Sequence, residues 1–516
     1  VIPVADRPQH LSDCLGSLLI LCRTFQYGGS TNSRFSKVSV IIADDSMEPG
    51  NIDQHRKIAD HFSRQGLAVS YFGQDEQLEE IAKLTTQQRE LLASILGNGH
   101  QPPFLHKGAS ITRNIAYLKL NSLQKNNAET LFYFIDSDQE FQVTTQTAGG
   151  SRNLYAVNFF YHLDRIFSNS NIHILTGKVV GDPPVSPSVM AGNFLEDVIG
   201  FLTQMTALEP QQECCFHSNN QQRTDDAAYH DMADLFGFKQ ATGSFNYHCT
   251  LQVAHNHIDC FRRFSDQLNH FFDGEHPTRK TFYQHTDVLS SVKPARTIYT
   301  GNYIFRTNAL KHFIPFATLK LRMAGPTLGR LLQSEIKQQF ASANLPMLHK
   351  RTVDQLGESE FRPGINRKLN QVDLSGEFER QFFGDVMLFT IAQLTEEGFP
   401  DHVPDRDKLI ASIAEVEQQV YRKYIQKQRL IMDNLSQLKS QFEQSEQWWH
   451  DIPTLEQANR HFRNFIDNIE HNFGANAQAY RLIDSKKHKQ KRLSRIADAI
   501  AGYNADKTAW IKALAP

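Results

Sequence analysis

Two acids one residue apart, Asp136 and Asp138, close the apolar run LFYFIDSD over 131–138. An unbroken run of aromatic and β-branched residues predicts a strand buried on both faces, as in a parallel sheet covered by helices. Its carboxyl end then carries both acids. In open α/β sheets that end faces the ligand crevice, where two carboxylates can hold a divalent cation against a phosphorylated ligand. Asp-Ser-Asp also suits a turn, because both residue types bond nearby backbone groups. The tripeptide alone leaves both readings open.

The elements that must position these acids lie upstream. VIPV over 1–4, followed by ADRP, predicts a short buried strand and a loop. A helix follows from His10 to about Cys22, with Leu11, Leu15, Leu18, Leu19 and Cys22 on one face. KVSVII over 37–42 predicts a second strand running into Asp44, Asp45 and Ser46, then a helix over 53–64 and a third strand over 67–72. Strand and helix alternating at this spacing imply right-handed crossovers and a parallel sheet. After a polar helical stretch over 76–96, a loop reaches His106-Lys107-Gly108 and opens a helix over 111–123 that carries Arg113 and Asn114. A Lys-Gly loop before a helix offers phosphate an ammonium and free N–H groups; an ordinary solvated turn has the same sequence.

The 516 residues are enough for about three domains. With 21% charged residues, 40% hydrophobic residues and a formal net charge of −2, the chain reads as an ordinary globular protein and not as a nucleic-acid binder. Six cysteines, Cys214 and Cys215 adjacent, are too few and too irregular for a disulfide framework, so a reducing, cytoplasmic setting is expected. No apolar stretch reaches the roughly 18 to 20 residues of a membrane helix, and no signal peptide opens the chain. An apolar start without Met leads us to expect further native residues before Val1.

VIPVADRPQHLSDCLGSLL, VSVIIADDS, KGASITRNIAYLKL and LFYFIDSD occur in the order, and at roughly the spacing, of the nucleotide-sugar half of family 2-like glycosyltransferases of the GT-A fold. The chain resembles that family. The resemblance implies a Rossmann-like α/β domain, a mostly parallel sheet flanked by helices, over 1–400: a nucleotide-sugar half over 1–140 and an acceptor half over 141–400. It implies that Pro3, Asp6, Asp44 and Asp45 hold base and ribose, and that Lys107 and Arg113 lie near the diphosphate. It implies that Asp136, Ser137 and Asp138 form the DxD motif, whose two acids would coordinate Mg²⁺ or Mn²⁺ at the diphosphate. The implied reaction moves a hexose from a nucleotide diphosphate sugar to a hydroxylated acceptor, a small polar molecule or a glycan. Such a reaction leaves a diphosphate with added charge, which a hard cation on oxygen ligands neutralises.

Further along, 154–167 predicts a helix, and NIHILTGKVV over 171–180 predicts a strand that leads to Gly181-Asp182-Pro183-Pro184. Asp182 is a candidate acceptor contact, with a Pro-rich connection as the alternative. His248, Cys249, His255, His257 and Cys260 lie close together, yet they form no CxxC or HxxxH pair and match no common zinc spacing. We read 194–289 as an acceptor-side insertion. RTIYTGNYIFR over 296–306 resembles the family's acceptor-side strand: Gly301 lets backbone approach a sugar and Asn302 offers a donor and an acceptor.

LRMAGPTLGRLL over 321–332 stands where inverting members carry an acidic pair, one acid being the general base. Gly325-Pro326-Thr327 can open a helix and Thr327 can meet the acceptor, but none of them takes a proton. Either Glu196, Asp197 or Asp182 supplies the base or, as in mannosylglycerate synthase, the enzyme retains configuration; the missing acid leans towards retention. LPMLHKR over 345–351 brings His349 to the place of a third metal ligand, and imidazole suits Mn²⁺ beside two carboxylates. Arg351 would stabilise the leaving group, sharing the catalytic work with Lys107 and Asp138.

Gly398-Phe399-Pro400 marks a boundary before an all-helical C-terminal domain over 401–516. Leu409, Ile413, Val416, Val420, Tyr424, Ile431, Leu435, Leu438 and Phe442 line one face of a long amphipathic helix, with further helices over 455–473 and 492–514. This domain is expected to pack on the catalytic domain, to join copies of the chain, or to touch a membrane surface. The basic run over 486–492 suits anionic lipid or an acidic partner, or is a solvated helix end. Two other functions share the fold. A sugar nucleotidyltransferase would carry a Gly-rich basic N-terminal signature that VIPVADRPQH lacks, and a silent scaffold would have no use for Asp136, Asp138 and Lys107.

Overall fold

The computed structural model describes residues 1–124, 130–147, 150–216, 247–251, 253–298, 301–353 and 357–515. Strands β1 (Ile2–Val4), β2 (Ser39–Asp44) and β3 (Ala68–Phe72) pair in parallel in the order β1-β2-β3. The first two crossovers are helices α1 (Pro8–Phe25) and α2 (Pro49–Arg64). The connection from β3 to β4 (Leu131–Ile135) passes through α3 (Gln74–Ala82), α4 (Thr86–Leu91), α5 (Ala93–Leu96) and α6 (Ala109–Gln124). Beside β1, strand β4 is held by two backbone bonds: Val1 N donates to the Tyr133 carbonyl at 2.7 Å and Ile135 N to the Val1 carbonyl at 3.1 Å.

Beyond β4 come β5 (Gln139–Glu140), a hairpin of β6 (Val143–Thr147) and β7 (Gly150–Leu154), helix α7 (Phe159–Ser168), β8 (Ile174–Gly181), α8 (Pro187–Thr206) and α9 (His257–Leu268). Then follow β9 (Lys293–Pro294), β10 (Asn302–Arg306), α10 (Ala324–Ile336) and β11 (Phe340–His349). The second sheet runs β4-β10-β8-β11-β5; β10 is antiparallel to both its neighbours, and β8 and β11 are parallel. Tyr299 and Thr300 of the predicted 296–306 strand lie outside the described residues, and the strand itself starts at Asn302.

Alternation explains the layering. On β2, Val40 and Ile42 pack towards α1, α2 and α7, whereas Ile41 and Ala43 pack towards α6. On β4, Phe132 and Phe134 face the α6 side and Ile135 faces the other. Side chains one residue apart point to opposite faces, so strands with apolar residues at every position need helices on both sides.

The final third is helical and, of the expected roles, it packs on the sheet domain. After a small hairpin of β12 (Asn366–Lys368) and β13 (Gln371–Asp373) come α11 (Ser375–Glu396), α12 (Arg406–Phe442), α13 (Trp448–Asp451), α14 (Glu456–Phe473), α15 (Gln478–Asp484) and α16 (Lys486–Leu514). The apolar face of α12, whose 37 residues span about 55 Å, is buried at each predicted position. That face packs on α8 and α11, and one continuous apolar core runs from Phe132 and Phe134 to Trp449 and Trp510. The Trp510 indole N–H reaches back to the Leu310 carbonyl at 2.9 Å. A boundary near residue 400 therefore separates no cores. Half of the basic run is also engaged: His488 and Arg492 bond Glu379, and Lys489 bonds Glu417. Among the described residues no helix is long and apolar enough to cross a membrane.

Candidate active-site cleft

The carboxyl ends of β1, β4 and β11 open onto one cleft of about 610 Å³, with Pro3, Asp136, Ser137, Asp138, His349 and Arg351 in its wall. Asp136 and Asp138 sit immediately after β4, as the strand reading requires. Gly301 packs directly on the first acid, since a Cβ there would stand 2.5 Å from Asp136 Oδ2. The Asp136 carboxylate is paired with the Arg113 guanidinium. Asp138 Oδ2 accepts from Arg7 Nη1 at 2.9 Å and from Arg351 Nη1 at 3.3 Å. Burial pushes the Asp138 carboxyl up, but Arg7, His349 and Arg351 together hold it well below the usual carboxylate range.

His349 Nε2 lies 3.6 Å from Asp138 Oδ2. Its Nδ1 donates to the Asp182 carbonyl at 2.7 Å, which turns Nε2 towards Asp138; the protonated ring donates to that carboxylate and the neutral ring offers a lone pair there. An imidazole whose second nitrogen is fixed by a carbonyl is arranged as a metal ligand. The Asp182 carboxylate accepts the Arg351 backbone N–H at 2.9 Å and lies 3.3 Å from Lys280 Nζ. Asp182 is therefore buried behind the wall, not exposed to an acceptor.

Several predicted contacts are spent on building the cleft. Adjacent residues at the end of β2 face opposite ways: Asp44 turns towards α2, bonding His55 and Tyr71 at 2.8 Å, and Asp45 turns towards the α6 loop. Asp45 accepts from Lys107 N, Lys107 Nζ and Gly108 N at 2.7 to 3.0 Å. The Lys107 ammonium is thus buried on Asp45 and lies outside the cleft wall, while Gly108 and Asp45 are part of that wall. Asp6 binds Met47 N, Glu48 N and His106 at 2.6 to 3.1 Å and fixes the first loop.

Asn302 is a buried brace instead of a sugar contact. Its amide oxygen accepts from Tyr133 OH at 2.8 Å, and its Nδ2 donates to the Lys178 and Leu345 carbonyls at 2.8 and 3.1 Å. It fills the place where the β8–β11 register slips between Ser342 and Pro346, a slip that leaves the Leu345 carbonyl in need of a donor. Thr327 is buried within α10, and Gly325 and Pro326 line the cleft in its place. Asp197 pairs with Arg279 at 2.8 Å, and neither it nor Glu196 belongs to the cleft wall.

Comparison of the chain with protein-family models, with curated proteins and with solved structures finds no match.

The site therefore rests on its own chemistry, and most of its cations are ones that spacing does not reveal. Arg322, Arg362 and Arg380 join Arg7, Arg113, Arg351 and Lys320, so seven basic side chains meet four carboxylates, Asp45, Asp136, Asp138 and Glu377. The excess suits an anionic ligand. Glu377 is buried between Arg322 and Arg362; burial raises its carboxyl, yet Arg322, Arg362 and Arg351 outweigh that and leave it below its ordinary value. The loop bearing Phe361 docks on the start of α1, where the Glu360 carboxylate accepts Gln9 N and His10 N at 2.9 Å, and the Phe361 ring stacks on His106 at 4.7 Å. Arg113 and Arg351 are the members of this set that the sequence named; Arg7, in the loop after β1, was missed although it lies within the first family-like segment.

Proposed function

We propose that the chain is a GT-A-type glycosyltransferase that moves a hexose from a nucleotide diphosphate sugar to a hydroxylated acceptor. The observation that carries this reading is the convergence of Asp138, His349 Nε2, Arg7 and Arg351 at the end of β4, in a cleft with net positive lining. The sheets β3-β2-β1 and β4-β10-β8-β11-β5, linked by the bonds between Val1 and β4 and parallel apart from β10 and the short β5, support a Rossmann-like reading of GT-A type.

The donor set fits a hard cation. Asp138 and His349 would hold Mg²⁺ or Mn²⁺, joined by Asp136 on leaving Arg113, and the cation would supply charge neutralisation to the diphosphate. Arg7, Arg113 and Arg351 would orient the diphosphate and stabilise the charge it gains as the bond to the sugar breaks. Among the carboxylates of the wall, Glu377 is held ionised by three arginines and is a poor proton acceptor, so retention of configuration is the favoured outcome.

A second reading has its own support. Asp136 and Asp138 are both already neutralised by arginines, which favours a mechanism in which guanidinium groups alone carry the diphosphate charge. Release of nucleoside diphosphate from UDP-, GDP- and ADP-sugars, with Mn²⁺, Mg²⁺ or EDTA, separates the two. Turnover that EDTA abolishes, and that Asp138→Ala lacks, supports the metal enzyme; turnover indifferent to EDTA supports the arginine mechanism. Pyrophosphate release from a nucleoside triphosphate and a sugar phosphate would identify a nucleotidyltransferase. No turnover and no binding across the panel would leave a scaffold.

A further inference from the structure

Away from the cleft, three thiols and one imidazole that are scattered in sequence come together. Cys214 lies beyond the end of α8, Cys249 and His255 lie in the segment that leads into α9, and Cys260 is in the first turns of α9. Cys260 Sγ is 3.2 Å from Cys214 Sγ and 3.6 Å from Cys249 Sγ, and Cys249 Sγ is 3.1 Å from His255 Nε2. All four ligand atoms lie within 4.8 Å of one another, and no disulfide joins the thiols. Tetrahedral Zn²⁺ with sulfur at ~2.3 Å and nitrogen at ~2.0 Å sets ligand atoms roughly 3.5 to 3.8 Å apart, close to these separations.

The surroundings are built for ligation. His255 Nδ1 contacts the Val253 carbonyl at 2.5 Å, which places the proton on Nδ1 and turns the Nε2 lone pair to the sulfurs. Backbone N–H groups two residues on support two of the sulfurs: Phe216 N donates to Cys214 Sγ at 3.4 Å and Leu251 N donates to Cys249. The backbone brings the segments together independently of the side chains. Cys214 N donates to the His255 carbonyl at 3.0 Å and His257 N to the Gln212 carbonyl at 3.2 Å. Cys249 and Cys260 are 1% and 0% exposed. Their aromatic frame, Phe201 stacked on Phe264 and Phe261 on Trp449, ties the cluster to α8 and to the C-terminal helices.

We propose that Cys214, Cys249, His255 and Cys260 form a structural Zn²⁺ site. Four protein ligands close the coordination sphere, so the ion binds no substrate and serves to clamp residues 212–216 against Cys249 and 253–260. None of the four lines the cleft, so this site stands or falls apart from the glycosyltransferase reading.

The test uses the full chain purified without added metal or chelator, with zinc measured by mass spectrometry. About one zinc per chain is expected, retained through dialysis. It should be lost in Cys249→Ser and in Cys260→Ser and kept in Cys215→Ser, whose exposed thiol lies outside the cluster. Because the first two variants can fail to fold, the wild type supplies a second readout. Zinc-depleted protein titrated with Co²⁺ should develop the thiolate charge-transfer and intense d–d bands of a tetrahedral sulfur-rich site. Wild type with neither zinc nor that cobalt spectrum overturns the proposal, as does zinc retained in both Cys249→Ser and Cys260→Ser. A Cys214–Cys260 disulfide in the isolated protein overturns it too.

Discussion

One residue, Asp182, sets both the tautomer of His349 and the backbone position of Arg351: its carbonyl accepts from His349 Nδ1 at 2.7 Å and its carboxylate from Arg351 N at 2.9 Å. The two roles separate by mutation. His349→Ala should lower kcat/KM for donor turnover by about 100-fold and raise the metal concentration needed, whereas Asp182→Asn, which keeps the carbonyl and one amide oxygen, should lower it by no more than about tenfold. Metal titrations of both variants check this. An unchanged metal requirement in His349→Ala would remove the imidazole from the ligand set.

Gly301→Ala probes the DxD loop without touching an acid. The added Cβ would stand 2.5 Å from Asp136 Oδ2 and 2.8 Å from Gln139 Nε2, both at the ends of flexible side chains. The side chains can give way, so unfolding free energy should fall by only about 1 kcal/mol. Asp136 is displaced all the same, and donor turnover should drop by at least about tenfold. Full activity in this variant would show that the position of Asp136 is unimportant.

How far the sequence disclosed this molecule depends on the range over which its physics acts. Strands β1, β2 and β4 carry continuous apolar runs, and the helices between them repeat at helical spacing, so both were legible. Asp44 and Asp45 looked alike as neighbouring acids, yet the two-residue period of a strand sends one to His55 and the other to Lys107. Asn302 offered hydrogen bonds that the β11 register slip consumed, a demand set by Pro346 and Leu345 far along the chain. Arg322, Arg362 and Arg380 reach the cleft from three separate segments with no shared spacing. Of the cysteine cluster, Cys249, His255 and Cys260 stood close together in sequence, but Cys214 was hidden for the same reason, since it meets Cys260 from 46 residues away. The 401–516 pattern disclosed an amphipathic helix but not its partner, which is the α8 and α11 layer of the sheet domain.

Arg492→Ala tests whether the basic run is internal architecture. Arg492 donates to both Glu379 oxygens at 2.6 and 2.7 Å, and the Glu379 side chain is only 6% exposed. Removing the guanidinium leaves a nearly buried carboxylate with His488 as its remaining side-chain partner. A loss of about 2 to 4 kcal/mol in unfolding free energy is expected from urea titration. Lys487→Ala, at an exposed position of the same run, should change it by less than about 0.5 kcal/mol. Equal effects of the two substitutions would contradict the internal role.

Asp385 makes the fold's stability depend on pH in a direction opposite to that of paired carboxylates. It lies in the middle of α11, fully buried, accepting from Tyr424 OH and Gln381 Nε2 at 2.7 Å. Burial pushes its carboxyl up to about 7, against the lowering by those two bonds. Below about pH 4 the carboxyl is protonated whether the chain is folded or unfolded, and it makes no difference. Between about pH 4 and 7 the unfolded carboxyl ionises while the folded one keeps its proton, so its contribution to stability falls as pH rises; above that it stays at its low value. Asp385→Asn removes the titration and leaves an amide that can still bond Gln381 and Tyr424. The variant should therefore match wild type at about pH 4 and exceed it near pH 8, with a ceiling of about 4 kcal/mol. Paired urea titrations at the two pH values isolate this residue, since every other titrating group is common to both proteins. A stability difference that is the same at both would mean that Asp385 does not change its protonation on folding.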